Sequence, residues 1–137
     1  MNSFSGQLMN QDEIERLNSL QLAYIGDTVW ELIIRQQLVQ KKMNVKHMHN
    51  ECIKFVNAHA QACFLKAITI YLTEKEKEIV HRGRNAHARH PVPRNQEPED
   101  YAASTAFEAL IGFLYLSGNL ERIESLYNMI DGGTDHG

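Results

Sequence analysis

The sequence has only three prolines, Pro91, Pro93 and Pro98, and all fall in one short segment. Elsewhere no proline is present to break a helix. Two cysteines, Cys52 and Cys63, are too few for a disulfide framework, which fits a reducing, cytoplasmic setting. No run of eighteen apolar residues occurs, so no membrane-spanning helix and no membrane partner are expected. The opening MNSFSGQLMNQDE has no basic stretch followed by an apolar run, so it does not read as a signal peptide. Strand-like alternation is nearly absent. There is no internal repeat and no low-complexity tract. Positive charge is not in excess either: the net charge is −3 over 137 residues. That argues against a general polyanion binder and shifts attention to where the basic residues cluster.

What remains is helical periodicity. Composition is that of an ordinary globular chain, 43% hydrophobic and 23% charged, and the length suits one domain with a proper core. Asn10 with Glu13 three residues later reads as a capping box opening a helix at about residue 11. A helical pattern runs through LNSLQLAYIGDTVWELIIRQQLVQ, with a bend expected near Asn18-Ser19, until polar KKMN interrupts it. Helical spacing resumes over about 46–72. Thr73 and Glu76 form a second capping box before the charged helix TEKEKEIVHRGRNAH. ARHPVPRNQEP reads as a loop, followed by helix over about 99–117 that ends near Gly118. Asn119 can cap a last helix, LERIESLYNMI, which Gly132-Gly133 are expected to stop. The expectation is an all-α fold of about six to seven helices, with a core over about 11–131 and a flexible tail at 132–137.

Two carboxylates stand inside apolar helical runs. Asp27 follows Gly26 in AYIGDTVWE, where glycine costs a helix about 1 kcal/mol relative to alanine. Glu108 sits in STAFEALIGFLYL, four residues before Gly112. Small residues let helices approach closely, and two such helices packed together can aim Asp27 and Glu108 at one spot. Three readings fit: partly exposed acids beside a core stripe, a buried pair with Arg or Lys, or a hard-metal site. Carboxylate oxygens suit Mg²⁺, which binds phosphate oxygens as readily as protein. Such an ion can activate water and steady a phosphodiester transition state.

The segment 81–96, HRGRNAHARHPVPRNQ, holds Arg82, Arg84, Arg89 and Arg94, three histidines and no acid. Arginine's planar donor fork favours phosphate. A basic, Pro-bearing loop suits a nucleic-acid backbone, although a solvated surface loop reads the same way. No aromatic interrupts it, so backbone contact to a duplex fits better than stacking on single strands. His47-x-His49 and His59 with Cys63 have spacings that zinc ligands sometimes use; Cys63, in an apolar stretch, reads rather as core. Trp30 and the aromatics of FEALIGFLYL read as core.

LAYIGDTVWELIIRQQL resembles the signature helix of the ribonuclease III catalytic domain, usually Leu-Glu-Phe-Leu-Gly-Asp-Ala-Val-Leu-Glu-Leu. STAFEALIGFLYL resembles that family's second acidic helix, usually Ala-Asp-Thr-Phe-Glu-Ala-Leu-Ile-Gly-Ala-Ile-Tyr-Leu. The two matches lie in the family order, about 80 residues apart, and the resemblance spans roughly 18 to 130. With RGRNA before STAFEAL and no double-stranded-RNA-binding domain following, the chain is similar to the bacterial Mini-ribonuclease III group. The resemblance implies a single catalytic domain over 1–137 in an all-helical homodimeric endoribonuclease. It implies dependence on Mg²⁺, with Mn²⁺ as a substitute. Double-stranded RNA would be the substrate, chiefly the large-subunit (23S) ribosomal RNA precursor, cut to 5′-phosphate and 3′-hydroxyl ends. DNA is not an expected partner. Asp27 and Glu108 carry over as catalytic and metal-binding residues. Arg82, Arg84, Asn85, His87, Arg89 and Arg94 are expected to bind RNA, and Tyr24, Gly26 and Trp30 to form the dimer interface. Two usual metal-binding carboxylates are replaced, by Ala23 and Thr105, so waters, RNA phosphates or the hydroxyls of Tyr24, Ser104 or Thr105 are candidates to fill the gaps.

Two rival readings stand beside this one. The chain can be a non-catalytic RNA- or ribosome-binding module on the same fold. It can also be a helical nucleotide pyrophosphohydrolase, though that class leans on paired Glu-x-x-Glu motifs, and here only Glu121-Arg-Ile-Glu124 fits.

Overall fold

The structure, a computed structural model, describes residues 9–86, 92 and 94–134, the last four by backbone alone. Among the described residues there are seven α-helices and no strand: α1 (Gln11–Glu15), α2 (Ser19–Gln40), α3 (Val45–Val56), α4 (Ala58–Ile68), α5 (Glu74–Asn85), α6 (Pro98–Leu116) and α7 (Leu120–Thr134). The expected all-α class is what the chain adopts.

Helix starts follow local chemistry. Asn10 and Glu13 close one reciprocal capping box, and Thr73 and Glu76 another. Each satisfies two backbone N–H groups that a helix start leaves without partners. Asn18 does the same with Gln21, so the expected bend is a true break between α1 and α2. The run expected over 46–72 is also two helices. Asn57 adopts an extended backbone and its side chain accepts from the Ala60 N–H, ending α3 and starting α4. Pro98 sits at the first turn of α6, where its missing N–H costs nothing. Gly118, at φ 75°, lets the chain leave α6. Gly132 and Gly133 do not stop the last helix, which continues to Thr134.

α6 is the axial element: α2, α4, α5 and α7 all pack against it. It is apolar nearly all round, as a buried helix must be, with Ala103, Ala106, Phe107, Ala109, Leu110, Ile111 and Gly112 all buried. Its small residues let neighbours come close. A Cβ on Gly83 of α5 would stand 2.6 Å from the Ala106 Cα, so only glycine allows that approach. An aromatic cluster joins four helices: Trp30 meets Phe107 edge-on at 4.9 Å, with Phe64 and Tyr127 each 6.0 Å away. No helix among the described residues is long and apolar enough to cross a membrane.

Candidate active site at the α2–α6 crossing

The two acids singled out in the sequence meet. α2 and α6 cross in backbone contact. A Cβ on Gly26 would overlap the Glu108 carbonyl oxygen, and one on Gly112 would overlap the Leu22 carbonyl oxygen. Each helix thus places a glycine where the other's backbone lies. The residue after Gly26 is Asp27, which is exposed, and the Glu108 side chain reaches it across the crossing. Burial, reinforced by the hydrogen bond and negative charge of Asp27, pushes the Glu108 carboxyl from 4.5 up to about 8. Among the described residues no third His, Cys, Asp or Glu joins the pair in a metal-sized cluster. Beside Asp27, a hollow is lined by Thr28, Glu31, Leu32 and Arg35, and Arg35 is paired with Glu31.

A third polar group went unnoticed in the sequence. Gln61 of α4 is 1% exposed, and its amide lies against the Glu108 carboxyl. Its Nε2 has no hydrogen-bond partner among the described residues. A buried unsatisfied donor costs about 1–3 kcal/mol, so this one calls for a reason. The sequence did carry a signal. Gln61, Phe64, Leu65 and Ile68 have core spacing on α4, and all four are buried. Gln61 is the polar member of that stripe.

Two adjacent carboxyl groups, sharing a proton that a divalent cation can displace, and a buried neutral donor beside them fit such a cation. Mg²⁺ typically takes one or two carboxylates and completes its shell with water and substrate phosphates. Asp27 and Glu108 are the residues that would hold it. Of the hydroxyls considered as extra ligands, Ser104 is buried and donates to the Tyr101 carbonyl at 3.1 Å. Thr105 is buried, and Tyr24 points to solvent, 84% exposed.

The interface expectations for Gly26 and Trp30 need correction. Trp30 is 0% exposed, in the core of its own chain, with its indole N–H donating to the Phe55 carbonyl at 2.9 Å. Gly26 is used up by the contact with α6 of the same chain. Neither can face a partner. Tyr24 can, and Leu32, two turns along the same face of α2, is also exposed. Cys63, expected in the core, is exposed, while Cys52 is buried. The exposed thiol lies 3.7 Å from His59, whose other ring nitrogen meets Asp100 at 3.0 Å.

Of the residues expected to bind RNA, Arg84, Asn85 and Arg94 are exposed. Arg82 is half-buried and donates to the Leu17 carbonyl at 3.2 Å, tying α5 to the α1–α2 turn. With Asn85 it lines a hollow that includes Asn18, Ser19 and His81. His87 and Arg89 lie outside the described residues.

A family model described as "Ribonuclease III domain" matches residues 20–119. The protein named Mini-ribonuclease 3 from Symbiobacterium thermophilum is 42% identical over 111 residues, covering 80% of this chain and 85% of its own. Its namesake from a Thermoanaerobacter species is 41% identical over 124 residues, covering 90% and 87%. An X-ray crystal structure of a Fusobacterium nucleatum protein shares the fold with a TM-score of 0.81 at 33% identity, covering 89% of this chain and 94% of that one. The matched span contains both helices of the crossing and both acids, and the chain belongs to the ribonuclease III domain family: it is an endoribonuclease.

Proposed function

We propose that this endoribonuclease cleaves double-stranded RNA with Mg²⁺ at the Asp27–Glu108 pair, and that Mn²⁺ can replace Mg²⁺. The natural substrate in this reading is the large-subunit (23S) ribosomal RNA precursor, cut in the cytoplasm by a homodimer of single-domain chains to leave 5′-phosphate and 3′-hydroxyl ends. The observation that carries the proposal is the meeting of two carboxylates, on helices held in backbone contact by Gly26 and Gly112, inside the span matched by the family model.

Each part of the chain has a task. Asp27 and Glu108 are the residues that would hold a divalent ion, which when bound would supply Lewis-acid stabilisation of the scissile phosphate and acidify water. Asp27, exposed, faces the substrate; Glu108, set deeper, backs it. Among the described residues no cationic side chain pairs with either carboxyl group, which leaves the pair open to an external cation. Arg84 and Arg94, with Asn85 and the half-buried Arg82, contact backbone phosphates and set the register of the duplex. His87 and Arg89 extend that basic segment in sequence. The face of α2 carrying Tyr24 and Leu32 is the surface on which a second copy would pack.

The test is incubation of the purified chain with a structured 23S precursor and with an unrelated duplex, with Mg²⁺, with Mn²⁺ and with chelator. The proposal expects metal-dependent cleavage of both, with discrete cuts in the precursor. Duplex binding without cleavage in either metal would favour a non-catalytic RNA-binding module, a reading to which the buried Ala23 and Thr105, in place of family carboxylates, lend some support.

A further inference from the structure

Gln61 is unexplained by packing alone. It occupies a core position on α4, among Phe64, Leu65 and Ile68, where a leucine would fill similar space with no polar atoms to satisfy. Instead a primary amide is buried there, 1% exposed, with Nε2 lacking an acceptor among the described residues. Its neighbour is the Glu108 carboxyl. α4 lies on α6 as α2 does, so Glu108 is flanked by Asp27 from one helix and by Gln61 from another.

The chemistry of an amide suits that place. A carboxylate that gives one oxygen to a cation keeps a second oxygen that needs a donor, and such outer partners fix the ligand's orientation. A lysine or arginine there would neutralise the pair and repel a divalent ion. An amide N–H donates without adding charge, so the two carboxylates keep their full attraction for a cation. α4 thereby supplies orientation that the chain does not obtain from additional acids on α2 or α6, where Ala23 and Thr105 stand.

We infer that Gln61 is a positioning residue for the Asp27–Glu108 pair: its Nε2 donates to the Glu108 carboxylate and holds it in the rotamer that shares a divalent cation with Asp27. The inference rests on the metal-dependent reading proposed above. Gln61 touches neither RNA nor the scissile bond and acts through Glu108.

The experiment uses the full chain with Gln61→Leu and, as a more adaptable side chain, Gln61→Met. Four quantities are read: the melting temperature, Mn²⁺ binding by calorimetry without RNA, duplex-RNA affinity without divalent metal, and single-turnover cleavage against Mg²⁺ concentration. Melting temperature in the presence of chelator is expected to hold or rise, because leucine and methionine fill the core position without a buried amide to satisfy. RNA affinity is expected to stay unchanged. The Mn²⁺ dissociation constant and the Mg²⁺ concentration for half-maximal cleavage are expected to rise 10–100-fold, the range seen when such outer partners are lost, with high metal restoring much of the rate. A merely structural glutamine predicts the reverse pattern, an altered melting temperature with wild-type metal requirements, and that result overturns the inference. Wild-type protein that binds no Mn²⁺ and cleaves at no metal concentration overturns instead the metal-dependent reading beneath it.

Discussion

Two glutamates, one buried and one half-buried, illustrate two ways of treating an acid within a fold. Glu76, 4% exposed, lies between α5 and α7. Burial alone would raise its carboxyl, but Arg122 donates to both oxygens at 2.8 Å and the Thr73 cap adds to this, so its carboxyl ends below the usual glutamate value. Arg122 also donates to the Tyr71 carbonyl at 2.8 Å. Both carboxylate oxygens of Glu76 are matched by Arg122, and the result is a fixed joint. Glu108 receives the opposite treatment: its neighbour is another acid, and no cationic side chain among the described residues comes to it. The first arrangement completes itself within the fold. The second leaves negative charge unmet where α2, α4 and α6 converge, which is what a site for an external cation requires.

Breaking the matched pair should have the largest effect on stability. Arg122→Met leaves Glu76 buried without its cation, and loss of one partner of such a pair costs about 3–5 kcal/mol. Urea unfolding is expected to show that loss, with cleavage per folded molecule near wild type. Breaking the crossing comes next. Gly26→Ala gains about 1 kcal/mol of helix propensity but drives a methyl group into the Glu108 backbone carbonyl, and overpacking of this kind costs about 1–3 kcal/mol. The obstacle is backbone rather than a flexible side chain, so the overlap wins. Unfolding should report net destabilisation, and cleavage should fall as the acids move apart.

A pH-dependent effect sharpens the contrast. In the metal-free protein Glu108 keeps its proton up to about pH 8, whereas an unfolded chain releases it near 4.5. Between those values the folded state binds more protons, so stability falls as pH rises from about 4.5 to about 8 and then levels. Glu108→Gln should remove that slope, and its stability advantage over wild type should be greatest above pH 8, as read by melting curves with chelator present. The smallest effect concerns the basic segment. Arg84→Ala should weaken duplex binding only a few-fold and lower the salt dependence by about one unit of slope. Arg84 is the cleaner probe, because Arg82 also anchors the α1–α2 turn.

Much of this was legible in the sequence because it is local or periodic. The capping boxes at Asn10 and Thr73 follow from residues three apart. Asp27 and Glu108 stood out as acids beside glycines in apolar helices. The features that escaped depend on contacts across the chain or on a single residue. Asn57 breaks a run whose apolar spacing continues on both sides, so periodicity gave no warning. Arg122 reads as an ordinary surface arginine until α7 brings it to Glu76, 46 positions away. Trp30 read as core by pattern and as interface by the family resemblance, and the α6 crossing and the aromatic cluster show that both it and Gly26 are used within one chain. Gln61 was the polar residue on a core stripe, visible once the stripe of α4 is drawn separately from that of α3.

The most direct test of the acid pair as the cleavage site is single-turnover cleavage of duplex RNA by Asp27→Asn, measured beside its RNA affinity and melting temperature. The exchange keeps the side-chain shape, removes one negative charge and leaves the helices in place. Cleavage at saturating Mg²⁺ should fall by at least about 10³-fold, equivalent to about 4 kcal/mol of barrier, with RNA binding and melting temperature retained. Cleavage within a few-fold of wild type would contradict the account and remove Asp27 from the chemistry.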